Sequence, residues 1–362
     1  MRCMTINNYA DTLEDLEYDT IHPLYTVVRE MKPEQALVRV LAASINPFDI
    51  EMTKGYGKNA INAFRKYEGV DEFPMVLGRD YSGVIVKRGK RFRRHEIGDE
   101  VWGVRWVVGQ GTHAQYVVVN KSEVAFKPKK FNHVESASIP YVACTTWGAL
   151  QGTDLLKSSE KPVRRNVFVP GGTGGVGSFA AQLLQAYGHR VVTSCAKDAL
   201  PVVKRLGIET VLDYTSESFF QELAREGPFD VILDTLNERF KSDFVKLLRN
   251  NSSKYVSLRP TLLPDTDERG VVAGALQSGS KLLKESISQL YSGKGSYQWG
   301  FFQPNALILD NVKPLIEDGK IKPLIDRIYD IGDVYEAYKH CAGGHARGKT
   351  VLRMVFGRIG KV

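Results

Sequence analysis

The sequence predicts an α/β protein of two domains: a β-rich barrel or sandwich, then a doubly wound parallel sheet, with the tail returning to the first. Three observations predict it. Residues 24–145 read as short apolar strands divided by Gly, Pro and Asp. From about residue 150, strands alternate with helices, which demands crossover connections and hence a parallel sheet. The stretch 321–355 turns β-like again and ends in KTVLRMV, a lone terminal strand that needs an existing sheet to join. A length of 362 residues, beyond one ordinary core, agrees with two domains.

In chain order, the first strands are read at Ala36–Ala42, Tyr81–Val86, Glu100–Val104 and Ala114–Val119. The basic run KRGKRFRRH, Lys87–His95, falls between two of them and reads as a solvated hairpin tip, with no second patch to support nucleic-acid binding. The pattern then changes. An apolar strand at Asn166–Val169 runs into FVPGGTGGVGSFAAQ and a helix over 178–187, whose Phe179, Leu183, Leu184 and Tyr187 share a face. Strands at 190–194, 209–214, 229–234 and 254–258 alternate with helices near 201–207, 216–225 and 239–249. An excursion over 259–296 carries a long helix near 271–291. The strand Tyr297–Phe302 and a helix over 304–318 follow, and Gly319 caps that helix.

Composition sets bounds on function. The apolar 43% and charged 25% are those of a globular protein, and no apolar run approaches the ~18–20 residues that span a bilayer. Cys3, Cys144, Cys195 and Cys341 lie far apart, which argues against a disulfide framework or a structural zinc cluster. The first twenty residues carry one basic and five acidic side chains, so neither a transit peptide nor a secretory signal is visible. The formal charge of +8 favours anionic ligands or serves solubility. No Ser/His/Asp set or paired carboxylates stand out, which disfavours hydrolysis.

The glycine loop carries the strongest functional signal. Gly172, Gly174 and Gly177 have GxGxxG spacing directly after a strand and at the opening of a helix. Glycines let the backbone approach a pyrophosphate, and the helix N-terminus offers free N–H groups and a positive dipole end. At the end of the second strand, where an NAD site places a carboxylate for the ribose 2′-OH, the sequence reads Ser194, Cys195, Ala196, Lys197. A hydroxyl and an ammonium there suit a 2′-phosphate and point to NADPH. Asp198, one residue on, keeps NAD open, and Lys197 also reads as an exposed helix-entry residue.

Five segments together carry a family resemblance: SINPFDI (44–50), LGRDYSGVI (77–85), HEIGDEVWG (95–103), GGTGGVG (171–177) and HARGKTV (345–351). With these the chain resembles the zinc-free quinone oxidoreductase branch of the medium-chain dehydrogenase/reductase superfamily, and within it a mitochondrial NADPH oxidoreductase type linked to coenzyme Q biosynthesis. The resemblance implies a GroES-like catalytic domain over 1–150, a Rossmann domain over 151–303 and a returning segment over 304–362. It implies hydride transfer to a quinone or another α,β-unsaturated carbonyl. Alternatives are an NADPH-binding scaffold with little turnover and an enoyl-thioester reductase. Zinc dehydrogenases carry GHE where this chain has Gly78–Arg79–Asp80, so no catalytic zinc is expected, and Cys144 reads as core or cofactor-lining.

By the same resemblance, Thr173, Gly174, Gly175 and Val176 meet the pyrophosphate. Ala196 stands where relatives carry a hydroxyl, which shifts weight to Ser194 and Lys197. Tyr214 lies near the 2′-phosphate or is a strand-end core residue. Thr235, Leu258, Gly300 and Phe302 line the strand ends where cofactors lie, or pack there, and His345, Ala346 and Arg347 form a late cofactor contact. On the substrate side, Asn46 borders the nicotinamide, Asp49 buttresses its segment, and Tyr56 is the candidate for stacking on a quinone or donating a proton. The resemblance also implies a mitochondrial location, with the cytoplasm as alternative, contact with a reticulon or a membrane periphery, and a monomer or homodimer.

Overall fold

The computed structural model describes residues 1–14, 18–21, 31–157 and 163–355. The described residues divide into two compact units, one drawn from 1–141, 304–317 and 325–355, the other from 142–303 and 318–324.

The first unit is built on an antiparallel sheet around one long strand, Gln35–Ile45. Its eleven residues, apolar and buried along most of their length, pair with three neighbours: Asp80–Arg88, Tyr116–Asn120 and Lys349–Arg353. Glu100–Val104 and Val124–Phe126 extend the sheet on one side, and Ile325–Asp330 joins Lys349–Arg353 in parallel on the other. The inward residues Val38, Val40, Tyr81, Ile85 and Val101 form its core. A small second sheet joins Arg2–Ile6 with Tyr18–Ile21 and Met75–Val76.

Helices interrupt this β-rich segment where the sequence reads only strands and breakers. Pro47–Thr53 is one short helix, started by Pro47 and by a capping box between Asn46 and Asp49. Lys58–Glu68 is bracketed by Gly57 and Gly69, both left-handed with φ of 77° and 70°. Val334–Ala342 is a third, inside the tail read as β. The basic run Lys87–His95 is an ordered turn. Its Phe92 and His95 are buried, the His95 ring lies 4.2 Å from that of Phe126, and Arg94 pairs with Asp310.

The second unit is a six-stranded parallel sheet in the order Thr210–Asp213, Arg190–Cys195, Asn166–Val169, Val231–Asp234, Lys254–Ser257, Ser296–Trp299. In chain order that is 3-2-1-4-5-6, the doubly wound arrangement whose ligand position lies where the order reverses, between the first and fourth strands. Both faces are covered. Val167 and Val169 belong to one apolar cluster with Leu184 and Leu233, while Phe168 belongs to the other with Phe229, Phe244 and Tyr255. The helix Pro140–Leu150 packs into the first of these clusters through Ala149 and Leu150, which is why the unit begins at Val142 rather than near residue 151.

Candidate functional site

The glycine loop joins the central strand Asn166–Val169 to the helix Gly175–Ala186. Gly174 is the N-cap and has no side chain to bond the first turn, so no cap claims the N–H groups of that turn, while its own N–H donates to the Gly171 carbonyl at 2.9 Å. A Cβ on Gly177 would stand 2.1 Å from the Gly171 carbonyl oxygen, and one on Gly172 would stand 2.5 Å from Thr193 Oγ1. Only hydrogen fits at either place. Thr235 fixes the loop from the fourth strand, its hydroxyl donating to the Pro170 carbonyl at 2.7 Å. The loop is thus a rigid cradle of backbone donors at the head of a helix dipole, which suits a pyrophosphate.

At the end of the second strand Ser194 is buried, and its hydroxyl has no hydrogen-bond partner in the protein. A buried orphan hydroxyl is costly unless something outside the chain satisfies it. Ala196 is half-buried, and Lys197 and Asp198 are exposed. Asp213 lies opposite Cys195 on the third strand, but its carboxylate accepts from the Thr215 N–H and hydroxyl, which hold its pKa below the usual value. Tyr214 donates its N–H to the Cys195 carbonyl while its side chain is exposed, so it is not a core residue. Gly300 is a packing glycine: a Cβ would meet Ala149 Cβ at 2.5 Å and Leu258 at 2.9 Å. Phe302, two residues beyond, is half-buried. The sequence reading missed Thr145 and Thr146, whose buried hydroxyls also lack partners. Their signal was two adjacent hydroxyls in an otherwise apolar helix.

The first unit carries a buried polar network centred on Asn46. Asp80 accepts from Ser44 Oγ at 2.5 Å, Asn46 Nδ2 at 2.9 Å, Lys349 Nζ at 3.2 Å and the Tyr141 N–H at 2.5 Å. Lys349 also donates to Asn46 Oδ1. Asp49 accepts the Asn46 N–H at 2.9 Å and the Gly78 N–H at 3.2 Å, and lies 3.7 Å from Arg79 Nε. Arg79 donates in turn to the carbonyls of Trp106 and Gly109. All of these side chains are buried. Burial raises the Asp49 pKa against the pull of Arg79, and burial brings Arg79 down to about 10. Beneath them His113 bridges the Ser44 carbonyl and the Tyr338 hydroxyl, and burial lowers its pKa to about 4. A neutral ring with its proton on Nε2 satisfies both partners.

Arg79 and Lys349 stand against the two buried carboxylates, so the charge a divalent cation would bring is already present in the side chains. The arrangement does not fit a zinc ion, and among the described residues no group of three or more His, Cys, Asp or Glu is placed to hold a metal.

Tyr56 sits in the turn between the helices Pro47–Thr53 and Lys58–Glu68, half-buried, its ring edge-on to Phe48 at 6.0 Å. His345 is exposed, and Ala346 and Arg347 are half-buried; these three belong to the first unit rather than the parallel sheet. The turn they form delivers Lys349 to the network. Lys349 escaped the sequence reading because GKTV reads as the start of an apolar strand.

Two families match: "Alcohol dehydrogenase GroES-like domain" over residues 32–129 and "Zinc-binding dehydrogenase" over residues 206–352. The chain is 38% identical over 331 residues to the Homo sapiens protein named "NAD(P)H oxidoreductase RTN4IP1, mitochondrial", covering 89% of this chain and 82% of that one. It is 35% identical over 329 residues to "Reticulon-4-interacting protein 1, mitochondrial" of Caenorhabditis elegans, covering 89% and 88%. The solved quinone oxidoreductase from Coxiella burnetii has the same fold, with a TM-score of 0.76, 24% identity, and 98% and 99% coverage. The relatives' names and the cradle agree on an oxidoreductase with a nicotinamide cofactor. The chain belongs to the RTN4IP1 type of NAD(P)H oxidoreductase, within the medium-chain dehydrogenase/reductase superfamily.

Proposed function

We propose that this protein is an NADPH-dependent reductase of quinones or other α,β-unsaturated carbonyls. The observation that carries the acceptor class is the network itself: its two buried carboxylates are each matched by a cation of the chain, Arg79 and Lys349, so nothing in it calls for a metal Lewis acid. An acceptor that spreads incoming electron density over its own conjugated system needs no metal to polarise it. The buried, partnerless Ser194 hydroxyl supports NADPH, with Lys197 close by in sequence and no carboxylate at the strand end. A 2′-phosphate supplies the acceptor atoms that hydroxyl lacks.

When bound, the cofactor supplies a hydride from nicotinamide C4. The chain's own residues do the rest. The N–H groups of Thr173, Gly175, Val176 and Gly177 are assigned to the pyrophosphate, the Gly174 N–H being donated to the Gly171 carbonyl, and Ser194 and Lys197 are assigned to the 2′-phosphate. The Asn46 side chain has its amide donated to Asp80 and its oxygen bonded by Lys349, so it is locked in one orientation and positions rather than exchanges a proton. Tyr56, half-exposed beside Phe48, is assigned to stack on the acceptor and donate the proton. The relatives' names support a mitochondrial location and contact with a reticulon.

The test is turnover of purified protein with NADPH against panels of quinones and enones. Oxidation of NADPH by a quinone or enone is expected. Tight NADPH binding without turnover of any acceptor would overturn the reading in favour of a binding scaffold, and turnover confined to enoyl thioesters would replace the substrate class.

A further inference from the structure

Two adjacent residues other than glycine stand in the left-handed region, Asn237 at φ 57° and Glu238 at φ 63°. Among the described residues no other non-glycine is found there. Asparagine tolerates that conformation, but for a glutamate it is strained, and such strain persists only where the surroundings over-determine it. Both lie in the turn after the fourth strand of the parallel sheet, Val231–Asp234, at the edge where the strand order reverses.

Asp234 holds this turn from within the sheet. It is 1% exposed, and its carboxylate accepts the Leu236 N–H at 2.7 Å, the Glu238 N–H at 2.9 Å and the hydroxyl of Tyr255 on the fifth strand. Two N–H groups converging on one carboxylate need the chain to curl around it, which the left-handed pair provides. Glu238 ties the turn from outside. Its carboxylate accepts from the Tyr297 hydroxyl on the sixth strand and lies 3.6 Å from Lys241 Nζ. The Tyr297 hydroxyl accepts in turn from Trp299 Nε1 at 2.9 Å. Three strands therefore fix a turn of four residues.

The turn packs on the glycine loop. Thr235 donates its hydroxyl to the Pro170 carbonyl at 2.7 Å. A Cβ on Gly171, itself left-handed at φ 74°, would stand 2.8 Å from Thr235 Oγ1 and 3.2 Å from Leu236 Cδ2, so the turn closes over the first glycine of the loop. Gly171 sets the rest of the cradle. Its carbonyl accepts the Gly174 N–H at 2.9 Å and leaves no room for a side chain on Gly177. An unbroken run of contacts leads from the Asp234 carboxylate to the start of the helix Gly175–Ala186.

We propose that Asp234 is a positioning residue for the dinucleotide. It holds residues 235–238 in the left-handed turn, the turn holds Pro170 and Gly171, and these hold the N–H groups of the cradle in place for a pyrophosphate. The cradle is then formed before the cofactor arrives, and affinity is gained because no ordering of the loop opposes binding. The proposal rests on the loop receiving a nicotinamide dinucleotide, and not on the acceptor or the proton donor.

Calorimetric titration of the full chain with NADPH and with 2′-AMP tests it. The second ligand carries the adenosine and the 2′-phosphate but no pyrophosphate, so a slackened cradle leaves its binding unchanged. Asp234→Asn places an amide NH2 against a donor that the carboxylate accepts, and the turn loses an anchor. Asn237→Pro cannot reach a φ near 57° and alters only an exposed side chain, which keeps the proposal falsifiable if Asp234→Asn misfolds. Both variants are expected to bind NADPH at least tenfold more weakly and 2′-AMP within twofold of the wild type. Asn237→Gly, which keeps the left-handed conformation, is expected to bind NADPH within threefold of the wild type. Folded Asp234→Asn and Asn237→Pro variants that bind NADPH within twofold of the wild type overturn the proposal. A parallel loss of both ligands also overturns it, since Asp234 would then support the whole unit rather than the cradle. Wild-type protein that binds 2′-AMP but no NADPH overturns it together with the proposed function, so the two failures are told apart.

Discussion

Lys349→Met removes one cation from a sealed network and leaves everything else in place. Asp80 keeps its bonds from Ser44, Asn46 and the Tyr141 N–H but loses the ammonium at 3.2 Å, and Asn46 Oδ1 loses its donor. Asp80 is fully buried and Lys349 is 5% exposed, so solvent does not repair the loss. Removing one partner of a buried ion pair costs about 3–5 kcal/mol, because the remaining charge stays out of water. For a domain of this size each kcal/mol moves the melting temperature by about 2–4 °C, so a fall of roughly 6–20 °C is expected. Methionine matches the length of the lysine stem, which keeps the packing term small. Differential scanning calorimetry reads the shift. The double variant Asp80→Asn, Lys349→Met removes both charges and is expected to recover at least half of it. A single variant that melts within about 2 °C of the wild type would refute the reasoning, since that is the scale of ordinary surface substitutions.

Three further outcomes follow from the same geometry. Burial holds His95 and His113 at about 4, below the ordinary 6.5, so the folded protein binds these protons less tightly than the unfolded chain. Stability is then complete above about pH 6.5 and falls as pH drops toward 4, by about 3 kcal/mol for each histidine; urea titrations at stepped pH read this, and a flat profile would contradict it. Gly177→Ala forces a Cβ against the Gly171 carbonyl oxygen and is expected to weaken NADPH binding at least tenfold in calorimetric titration, with the β-rich unit's melting unchanged. Lys197→Glu places a carboxylate beside the second strand's end and is expected to lower the NADPH-to-NADH preference about tenfold, read as the ratio of kcat/KM values; an unchanged ratio would remove Lys197 from the phosphate site.

Much of this fold was legible because its patterns are local. The alternation of Val167, Phe168 and Val169 between two apolar clusters is the period of a strand buried on both faces, and the crossovers follow from the alternation of strands with helices. The long helix read near 271–291 is Val271–Tyr291. The missed helices had their own causes. Pro140–Leu150 is apolar on all sides and offers no period. Pro47–Thr53 is too short to show one, and Lys58–Glu68 hides between glycines that also punctuate strands. At the site, the glycine loop and Ser194 could be read from spacing against one strand. The role of Lys349 could not, since it joins Asn46 across about 300 residues of chain and only the pairing of Lys349–Arg353 with Gln35–Ile45 brings them together.

The central claim is that this chain uses NADPH to reduce an activated carbonyl. Steady-state kinetics with NADPH, NADH and 4-deuterated NADPH against one quinone acceptor test it most directly. The account predicts a kcat/KM at least tenfold higher for NADPH and a primary isotope effect from the deuterated C4 position. Preference for NADH, or no acceptor-dependent oxidation of either cofactor, would contradict it.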